Sequence, residues 1–166
     1  MKSKKIAVLG LLTAIALTIH VLEAQVPMPI PGIKPGLANI VTVFTVFLLG
    51  AKDGAAVLGC RIFLGSVFGS FSSIIYSAAG GLCAILVTIF LKKILLKNQL
   101  WVAGALGAVA HSIGQMVMAI AVTQTPSLLL YLPVMIAASI ITGIFTGLCA
   151  QVVLNRGDKL WKTIFK

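Results

Sequence analysis

Lysine and arginine lie almost only at the ends of this chain and in every second gap between its apolar blocks, and that placement constrains how it can fold. Blocks at 6–24, 37–50, 55–68, 71–91, 101–122 and 128–154 read as six helices. The clusters Lys2/Lys4/Lys5, Lys52, Lys92/Lys93/Lys97 and Arg156/Lys159/Lys162/Lys166 then fall on one side, which accounts for 11 of the 13 cations. The opposite side keeps Lys34, and Arg61 sits inside the third block. Short loops rich in Lys and Arg stay cytoplasmic. The pattern therefore predicts an all-α membrane protein with six transmembrane helices and both termini cytoplasmic, a single domain over residues 1–166.

A chain that is 60% hydrophobic and 10% charged is no water-soluble domain of 166 residues. Six spans use nearly all of it and leave no room for a soluble catalytic domain. A net charge of +10 would ordinarily suggest nucleic acid. Here the topology accounts for it, and anionic lipid headgroups are the expected partners of the basic clusters. Met1–Lys5 followed by an apolar run and Leu22-Glu23-Ala24-Gln25 also has the outline of a cleavable signal. Against cleavage stand the length of the run, Glu23 beside the cut, and the further apolar block beyond.

The second and third blocks are short, and the connection 25–36 holds Pro27, Pro29, Pro31 and Pro35. Alternating proline predicts an extended, stiff outer segment, either a plain connector or a cap over a cavity. Gly50-Ala51-Lys52-Asp53-Gly54 reads as a tight cytoplasmic turn. Small residues recur at helical spacing in several blocks: Ser139, Gly143 and Gly147 in the sixth, Ser77, Gly80 and Ala84 in the fourth, Gly104, Gly107 and Gly114 in the fifth. Such stripes pack helices together in a bilayer. Gly10, Ala14 and Thr18 form one on the first block, where a terminal helix can dock a separate membrane partner.

Polar residues at membrane depth are costly and call for an internal partner or a ligand. Arg61 has three readings: a partner for Glu23, a ligand anchor, or a side chain reaching the inner interface. His111 and Gln115, one turn apart on a glycine-rich face, either pack or contact a ligand. Asn39 either caps the second helix or joins the site. With Lys34 at a rim and Tyr131 as an aromatic wall, these residues form the candidate substrate site. Catalytic and cofactor signals are missing. Glu23, Asp53 and Asp158 are the only acids, too few and too scattered for a paired-carboxylate or Mg²⁺–diphosphate site. Cys60, Cys83 and Cys149 are isolated, so no metal site is expected. There is no nucleotide-binding loop.

Several stretches resemble a known family. Gly32-Ile33-Lys34-Pro35-Gly36-Leu37-Ala38-Asn39-Ile40-Val41-Thr42 resembles the signature of the Gx transporter family, also labelled heptaprenyl diphosphate synthase component I; Pro35 stands where that signature has Leu. Arg61-Ile62-Phe63-Leu64-Gly65, Ser77-Ala78-Ala79-Gly80-Gly81, the run Gly107–Gln115, Tyr131-Leu132-Pro133 and Ile141-Thr142-Gly143 resemble its later blocks in order. The family is similar to the substrate-binding (S) components of energy-coupling factor transporters. That resemblance implies an S-component-like bundle in the bacterial plasma membrane, binding a small cofactor-like molecule, with flavin- and quinone- or isoprenoid-related compounds the first to test. It also implies an energy-coupling transmembrane subunit and ATPases as partners. The alternative is a noncatalytic membrane subunit associated with heptaprenyl diphosphate synthase, because the chain lacks the Asp-rich motifs of prenyl synthases.

Overall fold

A computed structural model describes residues 2–26, 33–68 and 71–157. Six α-helices follow one another: α1 (Lys2–Glu23), α2 (Asn39–Leu48), α3 (Ala51–Gly65), α4 (Phe71–Lys92), α5 (Leu100–Thr123) and α6 (Leu132–Arg156). Short 3-10 turns at Ser66–Phe68, Lys97–Gln99 and Pro126–Tyr131 join some of them, and no strand occurs among the described residues. The all-helical expectation and the order of the six blocks are met. Crossing a hydrocarbon core takes roughly 20 helical residues at about 1.5 Å each. Four helices are long and apolar enough for that, within Ser3–Glu23, Ser73–Lys92, Leu100–Thr123 and Pro126–Arg156. With 10 and 15 residues, α2 and α3 are not.

Local chemistry explains why the second and third blocks fold short. Gly36, at φ +85°, turns the chain ahead of α2, and Gly50, at φ +118°, ends it. The expected turn at Gly50–Gly54 is corrected: only Gly50 breaks the helices, and Ala51 to Gly54 form the first turn of α3. Asp53 lies in that turn, where a carboxylate complements the helix N-terminus, and it also ion-pairs with Lys5 Nζ at 2.8 Å. Half of the expected Pro-rich segment 25–36, residues 27–32 with three of its four prolines, lies outside the described residues, as do Lys159, Lys162 and Lys166.

The packing places α5 between α4 and α6. A Cβ on Gly143 would lie 2.7 Å from Ala105 Cα, and one on Gly147 2.6 Å from Trp101 Cα, so α5 and α6 meet backbone to backbone. Ser112 and Ser139 hydroxyls clasp the same pair at 2.5 Å, both buried. On the other side Gly114 faces α4, where an added Cβ would meet the Ala79 carbonyl at 2.9 Å. Thr45, Thr88, Thr142 and Thr146 hydroxyls donate to carbonyls three or four residues back in their own helices. Those hydroxyls therefore need no partner across the bundle. Much of the outer surface is apolar, with Phe63, Val67, Leu130 and Ile141 each at least 70% exposed. An apolar exterior of that extent is a membrane surface.

Contacts between helix ends gather the cations. Lys5 at the start of α1 pairs with Asp53 at the start of α3, and Lys92 at the end of α4 donates to the Val46 carbonyl near the end of α2. The start of α5 packs against α6 near Gly147, towards the end that carries Arg156. The polar cluster described next lies away from these ends, in the other half of the bundle.

Candidate functional site

The cluster is built where the C-terminal part of α1, residues 33–38, the first turns of α2, and the middles of α3, α4 and α5 converge. Its outer brace is Glu23. The buried carboxylate accepts the backbone N–H of Leu37 at 2.5 Å and reaches that of Ala38 at 3.4 Å. These are N–H groups at the start of a helix, which have no partner within it, so the acid holds α2 against α1. With its oxygens turned to this backbone, Glu23 forms no ion pair with Arg61 among the described residues. The reading of Arg61 as a direct ion-pair partner of Glu23 is thereby corrected, although the two charges still attract at longer range, and the interface-reaching reading falls because Arg61 is 2% exposed.

Arg61 instead donates from Nη2 to Asn39 Oδ1 at 3.1 Å. Asn39 therefore does not cap α2: Ala38 occupies the N-cap position without a side-chain bond. Lys34, expected at a rim, is buried; its Nζ lies 3.0 Å from His20 Nε2 and its backbone N–H donates to Gln115 Oε1 at 3.2 Å. Burial holds the Lys34 ammonium below its ordinary range, with Glu23 acting against the drop and Arg61 adding to it. His111 and Gln115 are both buried on the face of α5 that meets α4 at Gly80, where a Cβ would come within 2.8 Å of His111 Cε1 and 2.7 Å of Gln115 Cγ. Gly36 closes the ring of contacts. A Cβ there would lie 3.0 Å from His111 Cδ2 and 3.1 Å from Asn39 Nδ2, and its positive φ suits glycine besides.

Five of the six proposed binding residues, Lys34, Asn39, Arg61, His111 and Gln115, thus share one buried cluster. Tyr131 differs: it ends the 3-10 turn before α6 and is 45% exposed. A buried aromatic beside Ile33 is instead Tyr76 on α4, which also packs with Met116. Sequence reasoning missed His20 as well. Its signal was spacing, since His20 and Glu23 lie three residues apart and share a helix face. Gly10, Ala14 and Thr18 all lie exposed along the outside of α1, with nothing within 4 Å of a Cβ on Gly10.

Several cluster atoms have no hydrogen-bond partner among the described residues: Asn39 Nδ2, Thr42 Oγ1, Arg61 Nε, His111 Nδ1 and Gln115 Nε2. Buried polar groups are nearly always paired, and these five unmet atoms belong to one cluster. No group of three His, Cys, Asp or Glu able to hold a metal occurs among the described residues. A separate groove of about 200 Å³ between α1, α2 and α6, lined by Leu12, Ile15, Phe44 and Val153, is wholly apolar.

The chain belongs to the family described as heptaprenyl diphosphate synthase component I, whose model matches residues 12–153. That span includes every residue of the buried cluster. No curated protein and no solved structure matches the chain.

Proposed function

With that family membership as the premise, we propose that this chain is the substrate-binding membrane subunit of a transporter of the energy-coupling factor type, taking a small cofactor-like molecule. The observation that carries the reading is the buried cluster of Lys34, Asn39, Arg61, His111 and Gln115 inside an otherwise apolar bundle, with unsatisfied polar atoms among the described residues. Polar and ionisable groups at membrane depth are expensive, and their usual justification is a ligand or ion pathway.

In this reading all six helices belong to the membrane domain, with α2 and α3 buried among the longer ones. Both termini face the cytoplasm and the ligand cluster faces outward, in a bacterial plasma membrane. The gathered cations at one end support that orientation. The chain is no enzyme: it carries no nucleotide loop and no clustered carboxylates, so energy comes from separate ATPases through a transmembrane coupling subunit. The exposed Gly10/Ala14/Thr18 face of α1 is where that subunit docks. Anionic lipid contacts the basic end; nucleic acid is no partner.

The experiment is mass spectrometry of molecules released from detergent-purified protein. The proposal expects one small molecule near one equivalent, lost from Arg61→Gln and His111→Ala variants that still fold. Protein that carries nothing and responds to no candidate ligand counts against it.

A second reading follows from the family's description: a noncatalytic membrane subunit that holds a heptaprenyl diphosphate synthase at the bilayer. It expects a soluble prenyl synthase, and no ATPase, to co-purify with the chain.

A further inference from the structure

Among the described residues, no unpartnered atom of the cluster is an obligate acceptor. Asn39 Nδ2, Gln115 Nε2 and Arg61 Nε are obligate donors, while Thr42 Oγ1 and His111 Nδ1 can act either way. Which end of each amide is which follows from its neighbours. Asn39 Oδ1 accepts from Arg61 Nη2, and Gln115 Oε1 accepts from the Lys34 N–H. Flipping either amide would set a donor against a donor. Both amide NH₂ groups are therefore the surplus, and all five side chains are at least 97% buried.

Charge points the same way. Arg61 and Lys34 bring two cations to the cluster and Glu23 one acid, whose oxygens are turned to the backbone of Leu37 and Ala38. The cluster therefore offers surplus donors and surplus positive charge, with Gly36 and Gly80 keeping the surrounding backbone close. A water molecule could accept from these donors and give its hydrogens to Thr42 Oγ1 and His111 Nδ1, but it would leave the positive charge unmet. An anion has only acceptors and meets both surpluses at once.

We infer that the molecule held in this cluster presents an anionic, acceptor-rich group, a carboxylate or a phosphate, to Arg61 Nε, Asn39 Nδ2 and Gln115 Nε2. This rests on the ligand-binding reading above and adds the chemical class to it. The same chemistry is carried by a soluble metabolite and by an anionic lipid headgroup, and the test separates the two.

The test melts the full-length protein in phosphatidylcholine nanodiscs at fixed ionic strength. Inorganic phosphate and acetate are the probes, sodium chloride is the reference, and tetramethylammonium chloride is the cationic control. A saturable rise in melting temperature with phosphate or acetate is expected, and none with tetramethylammonium. Gln115→Glu keeps the acceptor for the Lys34 N–H but turns the surplus donor into an acceptor. It should weaken the anion response by at least about 10-fold. Thr42→Val, a nearly isosteric change, should weaken it less while leaving the protein folded, so the inference stays testable if Gln115→Glu does not fold. In discs containing phosphatidylglycerol, a headgroup ligand would raise the melting temperature and abolish the phosphate response, whereas a soluble ligand would leave that response intact. Either result upholds the anion. The inference falls if neither anion exceeds chloride, or if Gln115→Glu and Thr42→Val both respond like the parent. A co-purified molecule that is neutral or cationic would overturn the inference and leave the binding reading standing. Protein that carries no molecule and answers no probe would overturn both.

Discussion

Arg61 Nη2 donates to Asn39 Oδ1 across 3.1 Å, and this bond ties the middle of α3 to the first turn of α2 inside the bundle. It orients both partners: the amide nitrogen of Asn39 and the Nε of Arg61 are left without partners among the described residues. The bond that builds the cluster thus also creates its unmet donors.

Asn39→Leu should destabilise the protein, because it removes the acceptor of a buried guanidinium. Losing a hydrogen bond to a charged group costs about 1–3 kcal/mol. Unfolding in mixed detergent and SDS micelles measures this, and an unchanged midpoint would mean that the bond contributes nothing. Asn39→Asp should fare better in the same assay, since it keeps an acceptor for Arg61.

Two glycines at similar spacing on different helices should behave in opposite ways. An Ala at Gly143 places its Cβ 2.7 Å from Ala105 Cα and from the Gly104 carbonyl, backbone atoms that cannot move aside separately. Overpacking of this kind costs about 1–3 kcal/mol. Gly10→Ala meets nothing within 4 Å and should leave stability unchanged or slightly raised, since Ala is the better helix former. Equal effects at the two sites would contradict the packing described here.

Lys34 gives a pH dependence of defined sign. Burial lowers its pKa from the ordinary 10.5, so the unfolded chain binds more protons across the window between the lowered value and 10.5. The stability of the parent relative to Lys34→Met should therefore rise as the pH climbs through that window. It should be lowest below it, where folding keeps a charged ammonium buried. A difference that is flat with pH, or that falls, would show that the ammonium is not held in this setting.

The sequence made the four long helices legible because a continuous apolar run of about 20 residues has few other destinies. Arg61, Asn39, His111 and Gln115 stood out for a similar reason, as polar groups where none is cheap. What it hid depended on how the chain folds back. His20 gains its meaning from Lys34, and Glu23 from the backbone of Leu37 and Ala38, 14 and 15 residues further on. No periodicity records such a contact. At Gly50–Gly54 the pair of glycines suggested a tight turn over all five residues, and the carboxylate of Asp53 favoured a helix start instead.

Topology is open to single-cysteine labelling in a variant lacking Cys60, Cys83 and Cys149. Asn98→Cys, exposed beside the start of α5, should react only with reagents that reach the cytoplasm. Gln124→Cys, exposed at the other end of α5, should react from outside. Labelling of position 98 from outside would reverse the orientation and remove the outward-facing ligand site.

The central claim is a ligand-binding subunit driven by separate ATPases, and affinity purification of the tagged chain from its native membrane tests it most directly. The account predicts that a transmembrane coupling subunit and ATPases co-purify. It also predicts that Gly10→Leu or Ala14→Trp removes them while the isolated variant still binds ligand, because both positions lie on the exposed face of α1. Recovery of a soluble prenyl synthase alone, unaffected by either substitution, would contradict it.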